Sequence, residues 1–142
     1  MPITFNYHAE ALVGLGRYQE ALYSAQQALV LGAEDKTPEY IGMAWRALGI
    51  VSDKVGEPIS VKDPEIRQTA TYDADTCFSK SEKIFSEAEI ELERARTLRE
   101  WAKYHFKAGD QQRAATMWQD ARDIFANLGA DMEVQRMSYP PV

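Results

Sequence analysis

Few side chains in this 142-residue sequence could support catalysis. His105 lies among aromatic residues of a predicted helix, which favours a partly buried structural position over that of a general base. Cys77 lies beside Phe78 on an apolar helical face, and no residue at a nearby spacing could act as the base that a thiol nucleophile requires. We therefore expect His105 and Cys77 to have structural roles.

Asp73 and Asp75 come nearest to a metal-binding pair. Side chains at positions i and i+2 of a helix point in different directions, so a solvated helix start is the simpler interpretation. His and Cys residues at the spacings of zinc ligands do not occur, and Gly14-x-Gly16 does not follow a strand as a dinucleotide-binding loop does. The sequence predicts a non-enzymatic protein with neither a metal nor a cofactor.

Arg99, Lys103 and Lys107 form a basic stripe, because residues at i, i+4 and i+8 share one face of a helix. Ordinary ion pairing with Glu93 and Glu100 is the alternative interpretation.

The whole chain has a formal net charge of −6, which argues against a general nucleic-acid binder. No apolar run approaches the ~20 residues that span a bilayer, and a single Cys excludes an internal disulfide. We expect a cytoplasmic protein.

The elements that must position these residues are predicted to be helices, because helix-forming residues dominate and runs of β-branched residues are nearly absent. Gly32 and Gly129 follow apolar helical stretches and are expected to end helices, and Asp110 can cap the helix after it. A turn at Glu89 is predicted only because a 40-residue register aligns it with Gly129. The predicted helices cover residues 3–14, 18–31, 38–55, 72–88, 91–107, 111–127 and 131–138.

The sequence repeats itself. The motif Gly-Arg-Tyr-Gln-Glu-Ala at Gly16 returns as Gly-Asp-Gln-Gln-Arg-Ala at Gly109, and each copy opens a helix with small residues on one side. Gly16 and Gly56 are 40 residues apart, whereas Gly56 and Gly109 are 53 apart, so one unit holds 13 additional residues. Because this insertion contains two prolines, an exposed, mobile loop is expected over 57–71. Such repetition predicts stacked supersecondary units.

The repeat resembles the tetratricopeptide (TPR) family. Trp45, Leu48-Gly49 and Gly56 match the first helix and turn of the family's repeat. The small residues at its helix crossings are matched by Ala21, Ala28, Ala74, Ser81, Ala114 and Ala121. The 40-residue period is similar to the long-repeat subgroup in signalling scaffolds and bacterial regulators, and residues 93–137 are similar to C-terminal segments of such regulators.

The resemblance implies an all-α fold, an α-solenoid of three TPR-like helical hairpins plus a short C-terminal helix, within one domain over residues 1–142. The three repeats would cover residues 3–31, 38–88 and 91–127. The second would contain the inserted loop 57–71, and the terminal helix would cover residues 131–138.

In the TPR family the first helices of successive hairpins line a concave groove for partner proteins. The resemblance therefore implies a partly basic groove that binds an acidic peptide or helix, with no nucleic-acid or membrane partner. The residues placed in this groove are Asn6, Glu10, Arg46, Ile50, Lys54, Arg96, Arg99, Lys103, Phe106 and Lys107.

Three classes of function remain open. The leading one is a non-enzymatic protein-interaction module, with the C-terminal part of a larger signalling protein as one form of it. The others are a small secretion-type TPR chaperone and a regulatory domain that senses a peptide or a metabolite. Apolar residues near both ends of the chain, such as Phe5 and Val134, also suggest a homodimer that covers them.

Overall fold

The computed structural model describes residues 2–141, without the side chains of residues 2–4 and 6, so the predicted groove residue Asn6 lies outside the described side chains. The described part is mostly helical, which confirms the predicted fold class at that level. No helix in it has the length and apolar character needed to cross a membrane. The elements are α1 (Pro2–Gly14), α2 (Tyr18–Asp35), α3 (Pro38–Val55), β1 (Ile59–Asp63), β2 (Gln68–Tyr72), α4 (Ala74–Glu87), α5 (Glu91–Ala108), α6 (Gln111–Asn127) and α7 (Asp131–Arg136).

The predicted turn between α4 and α5 is confirmed. Glu89 has a φ of 58° and Gly129, its counterpart one repeat later, has a φ of 74°, so both take the left-handed conformation that ends a helix. The cap expected at Asp110 is also present, because its carboxylate accepts a hydrogen bond from the Arg113 amide at 3.2 Å. The register therefore locates helix ends even where no glycine marks them.

Gly32 does not end α2 as predicted. The helix continues to Asp35, and Lys36 takes the left-handed conformation with a φ of 53°. A Cβ on Gly32 would lie 3.2 Å from the Ile41 side chain. The missing side chain thus allows α2 to approach α3 closely, which explains a glycine inside a helix.

Consecutive helices pack against one another from α1 to α7, and α3 also contacts α1 and α5. Between α3 and α4 the spacing is very close. A Cβ on Gly42 would lie 2.6 Å from the Phe85 ring, and one on Gly49 would lie 3.0 Å from the Phe78 ring. Because Gly42 and Gly49 are seven residues apart, they lie on the same side of α3 and admit two aromatic rings of α4.

The insertion forms an antiparallel β-hairpin with buried side chains in its first strand, instead of the exposed loop expected over 57–71. Ile59 pairs with Tyr72 and Asp63 with Gln68, and the side chains of β1 alternate between buried and exposed. The Gln26 side chain of α2 covers the outer edge of β1, since its amide donates to the Lys62 carbonyl and accepts from the Lys62 N–H, both at 2.8 Å. The alternation of apolar and polar residues from Ile59 to Lys62 is the period-2 pattern typical of a half-buried strand, and it is the local sequence signal for this hairpin.

We predict that Gly42→Ala lowers the free energy of unfolding by about 1–3 kcal/mol, because the added methyl group overpacks the contact with the Phe85 ring. This loss should exceed the gain of about 1 kcal/mol in helix propensity. Urea denaturation followed by circular dichroism measures the change. Gly14→Ala is the matched control, since a Cβ there meets no atom within 4 Å, and it should be neutral or stabilising. Equal effects of the two substitutions would contradict the close packing of α3 and α4.

Candidate interaction surfaces

Arg46 is buried, which corrects the expectation that it contacts a partner in the groove. Its side chain is only 5% exposed. Nη2 lies 2.9 Å from Oε1 of Glu93 and 3.3 Å from Oε1 of Glu10. Nη1 donates to the Glu93 carbonyl at 3.3 Å and to Oγ1 of Thr97 at 3.4 Å. The guanidinium is therefore satisfied by α1 and α5 of its own chain.

The polar contacts around Arg46 extend to α4. Oγ of Ser81 donates to the Gly42 carbonyl at 2.8 Å and lies 2.9 Å from Oγ1 of Thr97, and both hydroxyl-bearing residues are buried. Glu93 also pairs with Arg96 on the outside. We call Glu10, Arg46, Ser81, Glu93 and Thr97 the Arg46 network. It links α1, α3, α4 and α5, so it fixes the relative positions of these four helices.

The remaining basic residues of the predicted groove lie nearer the solvent. Lys103 is 45% exposed and pairs with Glu100 at 3.1 Å, and Lys107 is 60% exposed and pairs with Asp53 of α3 at 3.1 Å. Lys54 is exposed and forms no ion pair within the described residues. The alternative of pairing with Glu100 thus holds for Lys103, whereas Lys107 pairs with a carboxylate that the sequence did not indicate; both side chains remain accessible.

Arg99 is directed towards α7. It pairs with Glu133, and its guanidinium carbon lies 5.1 Å from the centre of the Phe125 ring. Partial burial alone would raise the pKa of Glu133, but the hydrogen bond from Arg99 and the charges of Arg99, Arg136 and Arg96 lower it overall. Arg99 therefore connects α5 to α6 and α7.

The structure divides the predicted groove residues between a surface and the interior. Phe106 packs against Trp118 of α6, with ring centres 6.3 Å apart, and is partly buried against an apolar cluster of α4, α5 and α6 that includes Phe78, Trp101 and Phe125. Ile50 is half-buried against the same cluster. We define the odd-helix face as six predicted groove residues of α1, α3 and α5 that are exposed or partly exposed, namely Glu10, Ile50, Lys54, Arg96, Lys103 and Lys107.

His105 and Cys77 are buried, as expected for structural residues. Nε2 of His105 lies 3.4 Å from Oδ1 of Asp75, which accepts a hydrogen bond from the Trp101 indole at 2.8 Å. Burial and the charge of Arg113 lower the pKa of His105, although Asp75 and Asp110 oppose the shift. Burial, followed by the charge of Asp73, raises the pKa of the Cys77 thiol to about 12, so at neutral pH the thiol is protonated.

The Asp73 and Asp75 carboxylates have separate roles, as the sequence spacing indicates. Asp73 caps α4 by accepting a hydrogen bond from the Thr76 amide at 2.8 Å, and this bond lowers the pKa of Asp73. Within residues 2–141 no group of three or more His, Cys, Asp or Glu side chains could hold a metal ion.

A cavity that the sequence analysis did not predict lies on another side of α3. Its volume is about 620 Å³, and it lies between the C-terminal parts of α2 and α4, the N-terminal part of α3 and the turn of the hairpin. Trp45 and Ile41 of α3 and Ile84 of α4 line it, together with Asp63 from β1. We call this cavity the α2–α4 pocket. It exists because the insertion folds as a hairpin over α3, so its one sequence signal is the alternating pattern of β1.

Comparison with known proteins adds no family assignment. No protein-family model matches this sequence, and no curated protein matches it.

We predict that stability falls as the pH is lowered from about 7 to about 5, with a slope to which His105 contributes. The folded pKa of His105 is below the ordinary value of about 6.5, so below that pH the unfolded chain binds a proton that the folded chain does not. One such proton contributes at most about 1.4 kcal/mol per pH unit. Urea denaturation of the parent and of His105→Gln at pH 7 and pH 5.5 measures the difference.

His8→Gln is the control for this pH dependence, because His8 is exposed. The parent and His8→Gln should lose the same stability on acidification, and His105→Gln should lose less. If the free energy of unfolding of His105→Gln changed with pH as steeply as that of the parent, the buried imidazole would not contribute.

Proposed function

We propose that this chain is a non-enzymatic, cytoplasmic protein-interaction module built from TPR-like helical hairpins. Its odd-helix face binds an acidic segment of a partner protein. The observation that carries the proposal is the group of accessible lysines on the neighbouring helices α3 and α5, namely Lys54, Lys103 and Lys107.

The packing of the helices supports the hairpin-repeat part of the proposal. Each helix contacts the next, and the first helices of the three proposed repeats form a contact chain because α3 touches both α1 and α5. Ala21, Ala74 and Ala114, the small residues that the resemblance assigns to the helix crossings, are all buried, which is consistent with this assignment. A surface shared by α1, α3 and α5 is the type of surface that such repeats use for binding.

The weak or missing intramolecular ion pairs of the lysines on the odd-helix face support an acidic partner. Lys54 has no ion pair within the described residues, and the pair of Lys103 with Glu100 is an exposed one between residues three apart on a helix. Exposed pairs of this kind contribute about 0–1 kcal/mol, so a carboxylate of a partner can replace the intramolecular one at little cost. Ile50 is half-buried and lies four residues from Lys54 on α3, so it offers an apolar contact on the same side of the helix.

The test compares charge reversal on the odd-helix face with charge reversal elsewhere. We predict that Lys54→Glu/Lys103→Glu weakens binding of a fluorescein-labelled amphipathic peptide with glutamates on its polar face by at least about tenfold, which corresponds to about 1.4 kcal/mol. Fluorescence anisotropy measures the affinity. The attraction should also fall between 50 and 300 mM salt, since the Debye length at physiological ionic strength is ~8 Å.

Lys36→Glu/Lys83→Glu is the matched control, because both residues are exposed, lie outside the odd-helix face and give the same change in net charge. The control should bind like the parent, and the glutamine counterpart of the peptide should bind weakly to all three proteins. Affinity capture from a lysate with the same three proteins then identifies the natural partner. Equal loss of binding in both charge-reversal variants would contradict a specific odd-helix surface.

A further inference from the structure

The α2–α4 pocket has an apolar floor and an acidic rim. Its floor consists of Leu29, Ile41, Trp45 and Ile84. Asp63, Glu65 and Glu87 are the acidic residues among those that line it, and Lys36 is the one basic residue. A volume of about 620 Å³ is within the range of about 300–1,000 Å³ that small-molecule sites occupy.

The Asp63 carboxylate is the least solvated charge at this pocket. Asp63 is only 3% exposed, and within the described residues it forms no ion pair with Lys, Arg or His. It accepts hydrogen bonds from the Tyr72 hydroxyl at 2.5 Å and from the Glu65 amide at 3.0 Å. Burial and this bond to Asp63 raise the pKa of Tyr72 to about 12, so the hydroxyl stays protonated as a donor. The carboxylate is thus hydrogen-bonded but not neutralised, which is costly for a buried charge.

Two basic side chains around the pocket, Lys80 and Lys36, form no ion pair with Asp63. Nζ of Lys80 lies over the Trp45 and Tyr72 rings, 5.2 and 5.4 Å from their centres, and is held there by the aromatic faces. Lys36 is exposed at the rim and forms no ion pair within the described residues. A bound cation could therefore neutralise Asp63 without displacing an existing ion pair.

We propose that the α2–α4 pocket binds a small organic cation, a primary amine with an apolar body. The ammonium group would face Asp63, with Glu65 and Glu87 at the rim, and the apolar body would cover the Trp45, Ile41 and Ile84 side chains. An anionic ligand would meet three carboxylates, and a neutral one would leave Asp63 without a counter-charge. This site is separate from the odd-helix face, so its test does not depend on the proposed protein-binding function.

Three probes of the same shape test the charge preference. They are 2-phenylethylamine, 2-phenylethanol and phenylacetate, titrated into ¹⁵N-labelled protein at pH 7 with equal ionic strength. The Trp45 indole N–H and the backbone amides of Ala33 and Ile41 report on occupancy of the pocket. The amine should bind at least about tenfold more tightly than the alcohol, and phenylacetate should bind most weakly. Equal affinity of the amine and the alcohol, or shifts that map outside the pocket, would overturn the proposal.

Substitutions then assign the preference to particular carboxylates. Asp63→Asn should reduce the amine-to-alcohol ratio to about threefold or less while the alcohol still binds. Because this substitution could disturb the hairpin, Glu87→Gln provides an independent variant at an exposed rim position, with an expected loss of amine affinity of about two- to threefold. Glu57→Gln, an exposed residue outside the pocket with the same charge change, is the control and should bind the amine like the parent. Loss of affinity in the control equal to that in Glu87→Gln would overturn the proposal.

Discussion

The buried guanidinium of Arg46 is the constraint on which the rest of this helical structure depends. A charge removed from water must be both paired and fully hydrogen-bonded, or it destabilises the fold by several kcal/mol. Here the partners come from different helices, Glu10 from α1 and Glu93 and Thr97 from α5. A shift of any one of these helices along its neighbour would leave an unsatisfied charge, so the Arg46 network selects one register from the several that interchangeable Ala and Leu contacts would allow.

Arg46 and its neighbour Trp45 contribute to different parts of the structure. Because Arg46 is satisfied internally, it does not contribute to the odd-helix face, where Lys103 and Lys107 remain accessible. Its neighbour in sequence, Trp45, instead contacts the hairpin, with its ring centre 5.1 Å from that of Tyr72. Helix α3 thus divides its side chains between a polar network that sets helix positions and an aromatic contact that shapes the α2–α4 pocket.

The helical part was predictable from local signals, whereas the burial of Arg46 and the β-hairpin were not. Helix ends followed from capping and from the 40-residue register, which located the left-handed residue Glu89 without a glycine. The predicted end of α2 at Gly32 was wrong, because the sequence does not distinguish a glycine required for close packing against α3 from one that ends a helix. The burial of Arg46 depends on carboxylates 36 and 47 residues away, so no local window encodes it. The hairpin has one local signal, the alternation in β1, but the side chain that covers its edge, Gln26, lies 36 residues from Lys62.

A double-mutant cycle between Arg46 and Glu93 tests the central role of this buried pair most directly. The free energy of unfolding would be measured by urea denaturation for the parent, Arg46→Met, Glu93→Leu and the double variant. Each single substitution should cost about 2–4 kcal/mol, because the buried partner keeps only a more exposed counter-charge, Glu10 for Arg46 and Arg96 for Glu93. The double variant should cost at least about 1 kcal/mol less than the sum of the two single effects. Single effects below about 1 kcal/mol that simply add would contradict the account, since they would describe an exposed pair with no role in the helix register.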